Sequence, residues 1–198
     1  MKYNYLIICF LILVIASCNR SDQNNKYNKK SIELQGIAAD LILNNHYDSA
    51  LILLDKAIRM DTTYYLAYCD KSEIFLKRKD FNRAIAESQK SLKVKPDYAE
   101  GWQYEGMIYD SLGDSINAIK DYTISIDLFN KRITDPQKKK YLFFNRLNRA
   151  VTLLMARQEK SAYDSLKILK EQYPDQTTVD EFLKLSRKEL LNQFMDNK

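Results

Sequence analysis

The chain has 198 residues, 45% of them hydrophobic and 29% charged, with only 4 Gly and 3 Pro. That composition describes an ordered domain and excludes a disordered or collagen-like chain; so few turn formers also argue against an all-β sandwich, leaving helices to lead. Lys+Arg 31 against Asp+Glu 26 gives a net charge of +5, too small and too mixed for a nucleic-acid footprint, and one His with three Cys offers little for a metal site.

After Lys2, Leu6 to Ile15 form an unbroken apolar run of ten residues. This is the length of a secretory signal's apolar core and too short to cross a bilayer of about 30 Å as a helix. The following run Ile15-Ala16-Ser17-Cys18 resembles the bacterial lipobox, in which an aliphatic residue and two small ones precede the Cys that receives lipid. The resemblance implies a diacylglyceryl thioether on Cys18 and cleavage before it, hence a signal peptide over 1–17. An ordinary signal cut after Ser17 and an uncleaved anchor are the alternatives. Acyl chains contributing about 0.8 kcal/mol per buried CH₂ hold a soluble domain on a membrane when two or three are attached.

Residues 19–30, NRSDQNNKYNKK, carry one aromatic and no aliphatic side chain. They are expected to act, with Cys18, as a flexible tether over 18–30. Asn19 rather than Asp after the lipidated Cys favours the outer membrane, so the expected place is the cell envelope, on the outer membrane facing the periplasm. Cys9 leaves with the signal and Cys18 is modified, so Cys69 is the one thiol left and no intramolecular disulfide is expected.

The next feature is a period of 34. Ala50, Ala84 and Ala118 are spaced by 34 in both steps, within NHYDSA, KDFNRA and GDSINA. Counting outward gives repeats 31–64, 65–98 and 99–132. The third carries Trp102, Gly106, Tyr109, Ala118 and Tyr122, and the second closes on Pro96. A fourth copy, 143–176, places Ala150, Leu153, Ala162, Leu166 and Pro174 at matching positions after an insertion over 133–142. There Arg146 and Arg149 stand where apolar residues are usual. The pattern resembles the tetratricopeptide repeat, with Glu105-Gly106 where Leu-Gly is expected.

The resemblance implies an all-α, right-handed solenoid of about four helix-turn-helix repeats over 31–176. The helices cross closely where side chains are small: Ser72, Gly106 and Ala150 in first helices, and Ala50, Ala84, Ala118 and Ala162 in second ones. Leu41, Phe75, Tyr109 and Leu153 fill the space between neighbours. No such unit buries its apolar face alone, so the copies must stack. Two readings complete the chain. Asp135-Pro136 reads as an N-cap and first helical residue, so the first helix of repeat four is expected to begin near Pro136, about two turns early, as a basic, aromatic-bearing ledge. Residues 177–198 read as one amphipathic capping helix, with Thr178 as N-cap and Glu181 completing a capping box.

A search for catalytic constellations finds no Cys-x-x-Cys, His-Glu-x-x-His, phosphate loop or Gly-x-Ser-x-Gly. His46 occupies a turn place where Asp80 and Asp114 stand in the next two repeats. The chain therefore reads as a binding part, not an enzyme, with no cofactor, no metal and no nucleic-acid partner. Oligomeric state is not legible.

In tetratricopeptide proteins the partner lies in the concave face lined by first helices. Carried over, that face comprises Gln35, Gly36, Ala39, Ile42 and Leu43; Cys69, Asp70, Glu73 and Lys77; Glu100, Gln103, Tyr104, Met107 and Asp110; and Phe144, Leu147, Asn148 and Met155. The chaperone-binding branch of the family grips a terminal carboxylate with Lys and Asn where this chain has Cys69 and Glu73, then Gln103 and Met107. That departure argues against carboxylate capture. The middle of the face is acidic, with Asp70, Glu73, Glu100 and Asp110 against Lys77, and its ends are apolar. A basic or amine-bearing extended segment with apolar flanks is therefore the expected ligand. The convex face and the ledge are the alternative docking places, since residues from Phe129 on carry 15 basic and 9 acidic groups. The function expected is that of a lipid-anchored adaptor for a protein or peptide partner; a glycan-binding envelope lipoprotein is the alternative, against which Trp102 reads as core.

Overall fold

The computed structural model describes residues 26–195. The signal peptide, Cys18 and most of the tether lie outside the described residues. Two compact units divide between Gly101 and Trp102, and within the described residues the regular structure is helical throughout. The first unit holds α1 (Lys29–Leu43), α2 (Tyr47–Met60), α3 (Tyr65–Lys77), α4 (Phe81–Val94) and the opening residues of α5 (Ala99–Ser111). The second holds the rest of α5, α6 (Ser115–Thr134), a 3-10 segment (Pro136–Tyr141), α7 (Leu142–Met155), α8 (Glu159–Gln172), α9 (Thr177–Phe182) and α10 (Arg187–Met195).

Ordered chain begins earlier than the tether reading expects. Tyr27 is buried, its ring 5.1 Å from Tyr64 and 6.2 Å from Tyr65. Asn28 caps α1 by accepting from the Lys30 and Ser31 amides. One aromatic with two tyrosines to pack on is enough to pin the last residues of a polar stretch.

The turns repeat as faithfully as the helices. Asn45, Lys79, Gly113 and Arg157 all have positive φ, at 60°, 58°, 79° and 64°. In each case the following amide bonds back across the helix end, His46 to Leu41, Asp80 to Phe75, Asp114 to Tyr109 and Gln158 to Leu153, at 2.8–2.9 Å. This is the Schellman closure, which satisfies carbonyls orphaned at a helix C-terminus. Only Gly113 takes the left-handed conformation without a Cβ penalty. The next helix starts are less uniform. Asp80 and Asp114 accept from the Arg83 and Asn117 amides at 3.1 Å, whereas His46 and Gln158 make no side-chain cap. His46 is exposed.

The small residues occupy crossings. Ala50, Ala84, Ala150 and Ala162 are wholly buried and Ala118 nearly so, and Ser72 Oγ donates to the Ala84 carbonyl at 2.8 Å. Among the expected fillers, Phe75 and Leu153 are buried while Leu41 and Tyr109 are half-buried. The second unit's core joins Met107, Tyr122, Leu147, Val151, Leu154, Leu166, Leu169, Val179 and Phe182. Arg146 and Arg149 fit beside it because their guanidinium groups tie elements together: Arg146 donates to Gln172 on α8, and Arg149 to Asn130 on α6 and Ser165 on α8.

Two expectations are corrected. The insertion does not lengthen the first helix of the fourth pair. It extends α6 to 20 residues and then forms the 3-10 segment, where Lys138 leaves helical geometry at φ −103°, ψ 15°. Asp135 does cap, accepting from the Gln137 amide at 2.9 Å. Lys138, Lys139 and Lys140 are exposed, and Lys140 Nζ lies 5.6 Å from the Tyr141 ring centroid, whereas Phe143 packs on Tyr173, 5.0 Å away, so the ledge is basic and keeps Tyr141 as its aromatic. The C-terminal segment is likewise two short helices, broken over 183–186, and α9 begins after Gln176 with no side-chain cap. Instead the Ser186 amide and hydroxyl donate to Glu189 and start α10.

Gly106 offers a direct test of close packing. A methyl there would meet Tyr122 Cε1 at 2.7 Å and the Ala118 carbonyl oxygen at 3.2 Å, and the wholly buried Tyr122 ring has nowhere to move. Gly106→Ala is expected to cost about 1–3 kcal/mol, read as a lower urea midpoint at unchanged slope. Gly36→Ala, in a helix with nothing within 4 Å of the added carbon, is expected to gain a few tenths to about 1 kcal/mol; equal midpoints for the two variants would contradict the packing account.

Candidate functional site

The face implied by the family divides between the two units. In the first, α1 and α3 meet through a short polar chain: Tyr64 Oη donates to Gln35 Oε1 at 3.0 Å, and Gln35 Nε2 donates to Asp70 Oδ2 at 2.7 Å. Gln35 and Asp70 lie one period and one residue apart, as neighbouring first helices require. Asp70 is buried, and loss of hydration pushes its carboxyl up to about 8, with the Gln35 hydrogen bond opposing. Glu73 is also raised by burial, with Lys77, 3.7 Å away, pulling it back. Cys69 Sγ is 3.1 Å from Ser91 Oγ. Glu100 is almost wholly buried. The acidity of this part is therefore smaller than its formal charges indicate, because Asp70 favours its neutral form at neutral pH.

The second unit contains the more developed site. Gln103, Met107 and Asp110 recur at helical spacing, on one face of α5, and all three are buried. Asn148 is buried on α7, two turns before Met155. Tyr122 Oη donates to Asp110 Oδ2 at 3.3 Å, and burial together with the Asp110 charge raises the Tyr122 phenol. α10 touches this face at both ends of its own length. The Arg187 guanidinium pairs with Asp110, and Arg187 Nε donates to the Met155 carbonyl at 2.9 Å. Seven residues on, the Phe194 ring meets Tyr104 edge to face, with centroids 5.5 Å apart. Leu190 is buried between these ends.

Polar satisfaction along this face is uneven. Asp110 and the Met155 carbonyl are partnered by Arg187, whereas both amide atoms of Gln103 and the Asn148 Nδ2 are buried with no hydrogen-bond partner. Arg187 and Phe194 are the site residues that the sequence reading missed. Arg187 lies 77 residues from Asp110, outside any repeat, and no periodic signal connects them. Trp102, read as core, is half-buried. Among the described residues, no three His, Cys, Asp or Glu side chains are grouped to hold a metal ion, and no helix is long and apolar enough to cross a membrane.

Comparison with known proteins agrees with this architecture. Residues 65–98, the α3–α4 pair, match the tetratricopeptide repeat family model. The heat shock protein sti1 homolog of Schizosaccharomyces pombe is 31% identical over 68 residues, covering 34% of this chain and 12% of that protein. The TPR repeat-containing thioredoxin TDX of Arabidopsis thaliana is 28% identical over 110 residues, 56% of this chain and 27% of that one. The matches thus span a small part of these relatives. Among solved structures, PilW, described as a widely conserved type IV pilus biogenesis factor, superposes with a TM-score of 0.60 at 22% identity, over 86% of this chain and 74% of its own. MamA gives 0.50 at 18% identity, over 74% and 80%. The fold is the all-α tetratricopeptide solenoid.

Asp70 generates a pH prediction. Its folded value, about 8, lies above the ordinary 3.8, so its contribution to stability is complete below about pH 4 and is lost as pH rises toward 8. Asp70→Asn keeps an acceptor for Gln35 and removes the charge. The melting temperature of the variant minus that of the wild type is expected to grow between pH 5 and 8.5, reaching at least ~2–4 °C, which is ~1 kcal/mol for a chain of this size. A difference independent of pH would contradict it.

Proposed function

We propose that this protein is a lipid-anchored adaptor of the bacterial cell envelope, held at the outer membrane facing the periplasm through Cys18, which binds a protein or peptide segment on the tetratricopeptide face of its first helices. The observation that carries the binding part is the α5–α7 face. There a helical segment of the chain sets Arg187 on the buried Asp110 and Phe194 on Tyr104, beside the buried Gln103, Met107 and Asn148, an arrangement suited to polypeptide. The anchor rests on the lipobox-like run Ile15-Ala16-Ser17-Cys18.

The chemistry of the face also selects among ligands. A buried carboxylate that is paired with a guanidinium favours a cationic side chain, since an uncompensated charge is costly in such a place. A terminal carboxylate would meet Asp110 as a like charge, and the places for a Lys–Asn carboxylate clamp hold Cys69, Glu73, Gln103 and Met107. A basic segment with apolar neighbours is the ligand class that suits these residues.

The test is a crosslinked pull-down from native envelopes with three baits: wild type, Tyr104→Ala/Asp110→Asn, and Cys18→Ser. The expected result is a protein enriched by wild type from the membrane fraction and lost with the face variant, while the Cys18→Ser chain leaves the membrane fraction altogether. A partner retained by the face variant moves the site to the convex side or the basic ledge. A Cys18→Ser chain that stays membrane-bound contradicts the anchor.

A further inference from the structure

The place of α10 identifies the kind of segment that the α5–α7 face takes. Arg187 contacts Asp110 near the C-terminal end of α5, and Phe194 contacts Tyr104 near its middle, so α10 runs antiparallel to α5. At about 1.5 Å per residue, the seven steps from Arg187 to Phe194 cover roughly 10 Å and the six from Tyr104 to Asp110 roughly 9 Å. The two contacts are therefore in register along one face, with Leu190 and Leu191 between them.

We infer that this face recognises an amphipathic helix carrying an Arg, apolar residues three and four places on and an aromatic ring seven places on, and that α10 is the chain's own replaceable occupant, competing with a partner helix of that chemistry. This deepens the adaptor reading and rests on it. Three observations make α10 replaceable. It has nine residues, fewer than the roughly 12–15 that give an isolated helix even marginal stability, and only Leu190 among them is buried, against nine buried residues on α7. It supplies no partner to the Gln103 amide or to Asn148 Nδ2, so a segment that brings hydrogen-bonding groups to that end gains what α10 leaves unmade. Finally, Asp110 is buried while the Arg187 side chain keeps 21% of its surface exposed. A departing α10 would strand the carboxylate, so the incoming segment must bring a cation of its own.

The probe is a fluorescein-labelled peptide with the chain's own 184–198 sequence, titrated against the full-length protein and followed by anisotropy. The intramolecular copy competes at high effective concentration, so wild type is expected to bind the peptide weakly. The Arg187→Ala/Phe194→Ala chain is expected to bind it at least tenfold more tightly, and adding Asp110→Asn or replacing the peptide's arginine by alanine should reverse that gain. If the double variant loses its helical circular dichroism, Phe194→Ala alone, which keeps the Asp110 pair, carries the same comparison. Equal binding by wild type and variant, or binding by neither, overturns the inference. So does a dimer of the variant or wild type in light scattering, which would make a second copy the occupant. If the peptide result is negative while the envelope pull-down still loses its partner with the face variant, the helical ligand is overturned and the adaptor reading stands.

Discussion

Among the described residues, each of the four repeated helix pairs carries a residue too small to hold it apart. Ala50, Ala84, Ala118 and Ala162 lie against the first helices with essentially no exposed surface, and Gly106 lets the Tyr122 ring come within the volume of a methyl group. That closeness fixes where the larger side chains go and where each turn must fall. The four positive-φ residues at 45, 79, 113 and 157 follow the same spacing as the alanines. The insertion shifts the last of them by ten residues without changing how the turn closes, because the Schellman bonds need only the local chain.

Repetition made most of the fold readable from the residues alone. A 34-residue period with small residues in phase specifies paired helices, and the pairs over 29–94 and 99–172 follow it. Legibility ended where repetition ended. The insertion read as an early helix because Asp135-Pro136 is a sound cap, yet the Asp135 cap serves one 3-10 turn and α6 takes the extra length. The C-terminal segment read as one helix because its apolar spacing is continuous. A capping bond from Ser186 to Glu189 starts a second helix instead. Tyr27 sits in a polar stretch with no local signal that it packs, because the rings that receive it, Tyr64 and Tyr65, lie far along the chain.

The site was legible as positions and not as chemistry. Family places put Gln103, Tyr104, Met107, Asp110 and Asn148 on one side of their helices, and steps of four and three explain why Gln103, Met107 and Asp110 share it. The partner of Asp110 could not be read, because it comes from α10, a non-repeated element reaching back from Arg187. Asp70 illustrates the same gap: counted as one negative charge, it is driven toward neutrality by its surroundings. The functional account thus depends on one non-periodic contact laid over a periodic scaffold. A binding face of this kind can be held shut by a short helix that contributes little burial and still shields a carboxylate.

Native-state amide hydrogen exchange on the full chain tests that dependence most directly. Amides of α10, from Arg187 to Met195, are predicted to exchange through a local opening of low free energy, while those of α5 and α7 require much larger, near-global unfolding. If α10 is instead protected as strongly as α7, it is a fixed part of the core and the face beneath it is not a binding site.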